Sequence, residues 1–276
     1  MIPIILAAAT WLVLAAAVVL YARSRSHYWQ GHARHMQESG YLVPPASLTA
    51  RLSHRLVTRA LVYLGVGPIK VSGRRELMLP GRKIYVANHQ FNLDFAVCSV
   101  AARTCCPVMT KSAELKPPPL ALLSAWSGSA IPVNINDAGG GQKAFAASVR
   151  HLQRRSDSEF LIFPQGALFD RLQLEDFKSG AARLQKAVAD ATDGEPVWLI
   201  PMYIEYQQTG SRPISEFVFK KTRSIFGKVQ YGATVRIGEP IAYNSARSID
   251  GTTAIIYWRI ANLQRASFAL SRRRSR

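Results

Sequence analysis

Residues 2–22 are 21 positions without a single charge, about 31 Å as a helix at ~1.5 Å per residue, which matches a hydrocarbon core of about 30 Å. A chain that begins this way is predicted to carry a membrane-spanning helix. A cleaved secretory signal normally opens with basic residues, whereas Arg23, Arg25 and Arg34 follow the apolar run here. The segment therefore reads as a retained anchor with its C-terminal side in the cytosol. A cleaved signal peptide is the competing reading. Tyr21, Tyr28 and Trp29 flank the boundary, where amphipathic rings favour the headgroup layer.

The 276 residues suit one α/β catalytic domain plus this anchor, since domains usually hold about 100–200 residues. Lys and Arg outnumber Asp and Glu by 35 to 17, so a polyanionic partner is expected. The basic residues cluster beside the apolar run, along one helix and at the C-terminal end. That distribution favours membrane lipids and an anionic bilayer surface, and no nucleic acid. Cys98, Cys105 and Cys106 are odd in number and not at C-x-x-C spacing, which points to a reduced, cytosol-facing domain and no metal site. No carboxylate or thiol lies within the stretch from His27 to His35, and the three read as interfacial or solvated.

From residue 47 to 64, Leu48, Leu52, Leu56 and Ala60 recur at helical spacing beside a basic row of Arg51, Arg55 and Arg59, with Ser47 placed as N-cap. This predicts a basic amphipathic helix on anionic lipid, against an ordinary surface helix packed on the domain. Short apolar runs then follow at residues 69–71, 83–87, 130–133, 160–163, 197–204 and 233–237, each expected to be a strand. Helical stretches at 142–153, with Phe145, Val149 and Leu152 on one face, and at 180–189 lie between them. The alternation predicts an α/β fold, a mixed central sheet flanked by helices. Residues 138–141, Ala-Gly-Gly-Gly, lack the Lys-Ser/Thr ending of a phosphate-binding loop and are expected to be a flexible connection. Arg272, Arg273, Arg274 and Arg276 are expected to form a disordered, lipid-seeking tail. The expected division is 1–24 anchor, 25–66 interfacial segment, 67–268 catalytic domain and 269–276 tail.

Chemistry concentrates in Ile84-Tyr85-Val86-Ala87-Asn88-His89-Gln90-Phe91-Asn92-Leu93-Asp94, a strand running into a polar turn. If the turn leads into a helix start, Asp94 folds back to accept the Nδ1 proton of His89 and leaves Nε2 as a base at the strand end. In that position His89 can deprotonate a hydroxyl attacking a thioester carbonyl, with no acyl-enzyme required. A serine hydrolase would need a Gly-x-Ser-x-Gly elbow, and the sequence has none.

The context of this pair is Val71-Ser72-Gly73-Arg74 before it, then Phe163-Pro164-Gln165-Gly166, Phe177-Lys178-Ser179-Gly180-Ala181-Ala182, Ile200-Pro201-Met202 and Ile237-Gly238-Glu239-Pro240-Ile241. In order and spacing the set resembles the glycerolipid acyltransferases typified by 1-acylglycerol-3-phosphate acyltransferases, over residues 69–241. The resemblance implies an α/β acyltransferase fold and His89 with Asp94 as the catalytic pair. It also implies acyl-CoA or acyl-carrier protein as co-substrate, no resident cofactor, and acceptor contacts at Phe163, Pro164, Gln165 and Gly166.

Two departures bear on the acceptor. Where the family usually reads Phe-Pro-Glu-Gly-Thr-Arg, this chain has Phe163-Pro164-Gln165-Gly166-Ala167-Leu168. Where an earlier block commonly ends in Asp-Arg, it has Ile131-Pro132-Val133-Asn134-Ile135. Both arginines that the family associates with the acceptor phosphate are missing, which argues for a neutral hydroxylated lipid, with Lys111 or Arg171 as the candidate replacements. The expected enzyme is a membrane-attached, single-pass O-acyltransferase whose catalytic domain faces the cytosol, at the inner membrane if bacterial. Ordinary phosphatidic acid synthesis and a catalytically silent lipid-binding relative are the competing functions.

Overall fold

The computed structural model describes residues 48–111, 130–134, 136–168, 174, 176–207 and 231–274. The expected anchor, the three N-terminal histidines, Ile135, Arg171 and Arg276 lie outside them. Among the described residues no helix is long and apolar enough to cross a membrane.

The elements in chain order are α1 (Leu48–Gly65), β1 (Ile69–Ser72), a 3-10 turn (Arg74–Met78), β2 (Arg82–Ala87), α2 (Asp94–Ala102) and β3 (Val108–Lys111). They continue with β4 (Ala130–Val133), α3 (Gly140–Gln153), β5 (Glu159–Ile162), α4 (Gly180–Asp190), β6 (Val197–Tyr206), β7 (Ala233–Ile237), β8 (Ile241–Ala242) and α5 (Ile249–Arg274). The strands form one mixed sheet in the order β1-β7-β6-β2-β5-β3-β4, with β8 beside β6. Strands β2, β3, β4, β5 and β6 run parallel, and β7 turns back against β6.

Strand side chains alternate between two buried layers, as a sheet covered on both faces requires. Ile84 and Val86 of β2 pack with Ala144 and Leu152 of α3, Leu184 and Val188 of α4, and Ile256 and Ile260 of α5. Tyr85 and Ala87 pack the other way, with Val62 and Val66 at the end of α1 and Ala96, Val97 and Ala101 of α2. Each fully buried aliphatic side chain contributes roughly 1.5–3 kcal/mol, so these layers fix the sheet on which the site is built. A close approach of β1 to β7 explains one glycine. A Cβ on Gly73, at φ +80°, would stand 2.0 Å from the Ile237 carbonyl oxygen, which no side chain tolerates.

All six expected strands and both expected helices are present, with ends moved by a few residues. Strands β3 and β8 and helix α5 were not expected. Two expectations are corrected. Gly140 and Gly141 are the first residues of α3 and not part of a flexible connection. Arg272, Arg273 and Arg274 belong to the last turn of α5, so the basic tail does not begin at residue 269. Helix α1 forms, and its Leu52 and Leu56 row faces away from the domain, Leu52 being 49% and Leu56 67% exposed. The buried face carries His54, Thr58 and Val62 instead. Helical spacing showed that the helix has two faces, and packing against α2 decided which one is covered.

Candidate active site

Because β2 to β6 run parallel, their C-terminal ends share one edge of the sheet. That edge collects His89 after β2, Phe163 to Gly166 after β5, Lys111 at the end of β3 and Tyr206 at the end of β6. Open α/β sheets place their sites there.

Asn88 extends the sheet by one step. Its Nδ2 donates to the Ile204 carbonyl at 3.0 Å, and its Oδ1 accepts from the Ile204 amide at 2.7 Å. The side chain, itself buried, thus ties the chain to β6 one residue before His89. The chain then turns, and α2 opens at Asp94 with no side-chain N-cap at Leu93. The Asp94 carboxylate instead reaches back along the turn. Its Oδ2 accepts from the Gln90 amide at 2.6 Å and the Phe91 amide at 2.9 Å, and lies 2.9 Å from His89 Nδ1. Its Oδ1 accepts from the Tyr206 hydroxyl. The two backbone amides are obligate donors, and a carboxylate among them is the natural acceptor for an Nδ1 proton of the imidazole. Asp94 is fully buried, while the His89 side chain is 21% exposed. The imidazole edge away from Asp94, which holds Nε2, is the one free to meet a substrate.

The Phe163-Pro164-Gln165-Gly166 turn holds this histidine from the other side. Phe163 stacks on the imidazole at 4.1 Å between centroids and 12° between planes. Gln165, buried, accepts the His89 amide proton on Oε1 at 2.8 Å, and the Pro164 carbonyl accepts from the Lys178 amide at 2.9 Å. These residues, expected to touch the acceptor, also brace the His89 loop and Lys178. Gly166 has φ +72°, and a Cβ there would stand 3.0 Å from Lys178 Nζ. The Lys178 ammonium therefore lies over the turn that ends in Leu168, which is 46% exposed. Lys178 was quoted in its sequence block without a role. Lys111 shares the edge but makes no contact with His89 or Asp94.

The other described histidines are unlike His89. His54 is buried with no hydrogen-bond partner for either ring nitrogen, and burial, then the Arg55 charge, lowers its pKa to about 4. His151 is likewise lowered to about 4, burial outweighing its bond to the Glu159 carbonyl. Both are neutral packing groups near neutral pH, and neither touches a carboxylate. Burial, before the neighbouring charges, pushes the Cys98 and Cys106 thiols well up, which removes both as nucleophiles.

A buried carboxylate holds a partly exposed histidine at the C-terminal edge of the α/β sheet, an arrangement that can serve general-base chemistry. Residues 68–205 match the family model described as Acyltransferase, and the chain belongs to that family. Among solved structures it is similar to the 1-acyl-sn-glycerophosphate (LPA) acyltransferase PlsC from Thermotoga maritima. That similarity has a TM-score of 0.54 and 17% identity, and it covers 95% of this chain and 92% of that one. At this identity the likeness concerns the fold. No curated protein matches the sequence.

Proposed function

We propose that this acyltransferase moves a fatty acyl group from acyl-CoA or acyl-carrier protein to a hydroxyl of a lipid-like acceptor, with His89 as general base oriented by Asp94. The carrying observation is the contact of His89 Nδ1 with Asp94 Oδ2 at 2.9 Å. Nε2 takes the acceptor hydroxyl proton as that oxygen attacks the thioester carbonyl carbon. The C–S bond then breaks and the proton passes to the departing thiolate. Asp94 stabilises the imidazolium that exists between the two transfers.

Asp94→Asn tests this pairing. The amide oxygen can stay among the two backbone donors and Nδ1, and the amide N–H can turn to the Tyr206 oxygen, so the fold survives. What is lost is the charge. A charge-assisted bond is worth about 1.5–3 kcal/mol, so kcat should fall roughly 10- to 100-fold while the melting temperature changes little. Unchanged kcat in a folded Asp94→Asn protein would remove Asp94 from the mechanism.

The acceptor side supports a hydroxylated lipid without a phosphate monoester, because Gln165 is neutral and Leu168 is apolar and exposed. The Lys178 ammonium over Gly166 favours a second reading, ordinary synthesis of phosphatidic acid from lysophosphatidic acid.

Attachment to an anionic bilayer is part of the same proposal, with the catalytic domain on the cytosolic side of a membrane spanned by residues 2–22. Helix α1 turns Leu52, Leu56 and Tyr63 outward beside exposed Arg55 and Arg59, a face suited to the headgroup layer. Basic residues near anionic lipid contribute roughly 1 kcal/mol each, a contribution that salt screens. A chain lacking residues 2–22 should therefore sediment with anionic vesicles at low salt and leave them at high salt. Equal binding to neutral vesicles at both salt concentrations would contradict an electrostatic surface.

A further inference from the structure

We propose that Tyr206 is a positioning residue of this site, holding the second oxygen of Asp94 so that the carboxylate keeps His89 in one orientation through the reaction. The inference rests on the acyltransferase reading above. Three of the four donors to Asp94 come from the turn that carries His89 itself: the His89 ring and the amides of Gln90 and Phe91, all on Oδ2. They move with the turn and cannot fix it to the sheet. Tyr206 is the exception. It is the last residue of β6, its backbone is registered against Ala233 of β7, and among the described residues its hydroxyl is the donor that meets Oδ1.

The phenol is well placed for this. Its ring meets Phe91 edge-on at 5.5 Å and 77°, which restrains both the tyrosine and the turn. Burial, and then the Asp94 charge, pushes its pKa well above the ordinary tyrosine value, so it keeps its proton and remains a donor. Among the described residues Asp94 also faces, besides His89, Cys98, one turn along α2, a thiol that burial keeps protonated. The carboxylate is thus clamped between an element of the sheet and the loop it must orient. Asn88, bonded to Ile204 on the same strand, ties the other end of the turn to β6. One strand therefore sets both the backbone entering the turn and the carboxylate leaving it. Without the Tyr206 hydroxyl, Asp94 can rotate about its side chain and carry the imidazole with it. Sub-ångström misplacement of a catalytic group lowers turnover and leaves substrate binding intact.

The test is Tyr206→Phe, which keeps the ring and its contact with Phe91. Two readouts are needed: kcat and KM for donor and acceptor, and the proton resonance of the His89 Nδ1–H hydrogen bond by NMR. We expect kcat to fall about tenfold with both KM values within about twofold of wild type, and the Nδ1–H resonance to shift or broaden as the bond loosens. An unchanged kcat would overturn the proposal, as would a lower kcat with an unaltered resonance. Tyr206→Met, which removes the hydroxyl and adds a flexible apolar chain, serves if the phenylalanine variant does not fold. A wild-type chain that transferred no acyl group would refute the proposed function, yet the resonance comparison would still decide whether Tyr206 holds Asp94.

Discussion

His89→Ala should lower kcat roughly 10²–10⁴-fold, the usual contribution of a positioned general base, while the protein stays folded. The size follows from the absence of a substitute. Of the three described histidines, His54 is buried and His151 half-buried, and neither is hydrogen-bonded to a carboxylate; burial above all lowers each to about 4, so both are neutral near neutral pH. The Cys98 and Cys106 thiols are held protonated. Folding should survive because the His89 side chain is partly exposed. Its removal also leaves Asp94 with the Gln90, Phe91 and Tyr206 donors. The measurement is steady-state acyl transfer beside a thermal melt. A folded His89→Ala protein retaining more than a tenth of wild-type rate would end the assignment.

The second large effect concerns the acceptor. Lysophosphatidic acid should be used roughly 10²–10⁴-fold less efficiently, in kcat/KM, than a hydroxylated lipid lacking a phosphate monoester. The resemblance would place arginines where Ile135 and Leu168 stand, and each charge-assisted bond lost is worth about 1.5–3 kcal/mol. Lys178 offers a single compact charge where a guanidinium would bind phosphate oxygens in pairs. Measured kcat/KM for both acceptors checks this. Comparable efficiency, abolished by Lys178→Met, would show that the ammonium over Gly166 replaces the missing arginines and would establish the phosphatidic acid reading.

The sequence made the strands legible because each is a short apolar run closed by turn residues, as residues 130–133 show. It made the His89–Asp94 pair legible because both members lie in one turn, five positions apart. What it hid depended on distant chain segments. Tyr206 is 112 residues beyond Asp94 in sequence and reaches it only because β6 lies beside β2. Lys178 reaches Gly166 through a loop closed by the Pro164 carbonyl. Strand β3 was missed because Val108-Met109-Thr110-Lys111 alternates weakly and pairs at its two sides with strands far along the chain. Helical periodicity separates the two faces of α1 without saying which one a neighbour covers, and the burial of His54 and Thr58 was therefore not legible. Nothing in the block around Gln165 indicates that its Oε1 accepts the His89 amide.

The most direct measurement of the central claim is mass spectrometry of the lipids and of the intact protein, after wild-type and His89→Ala chains are each mixed with acyl-CoA, alone and with a hydroxylated lipid acceptor. Direct general-base transfer predicts a new lipid ester with the wild type only when the acceptor is present, essentially none with His89→Ala, and no acyl mass added to either protein. An acyl group accumulating on the wild-type protein before the acceptor is added, or equal ester formation by the two chains, would contradict it.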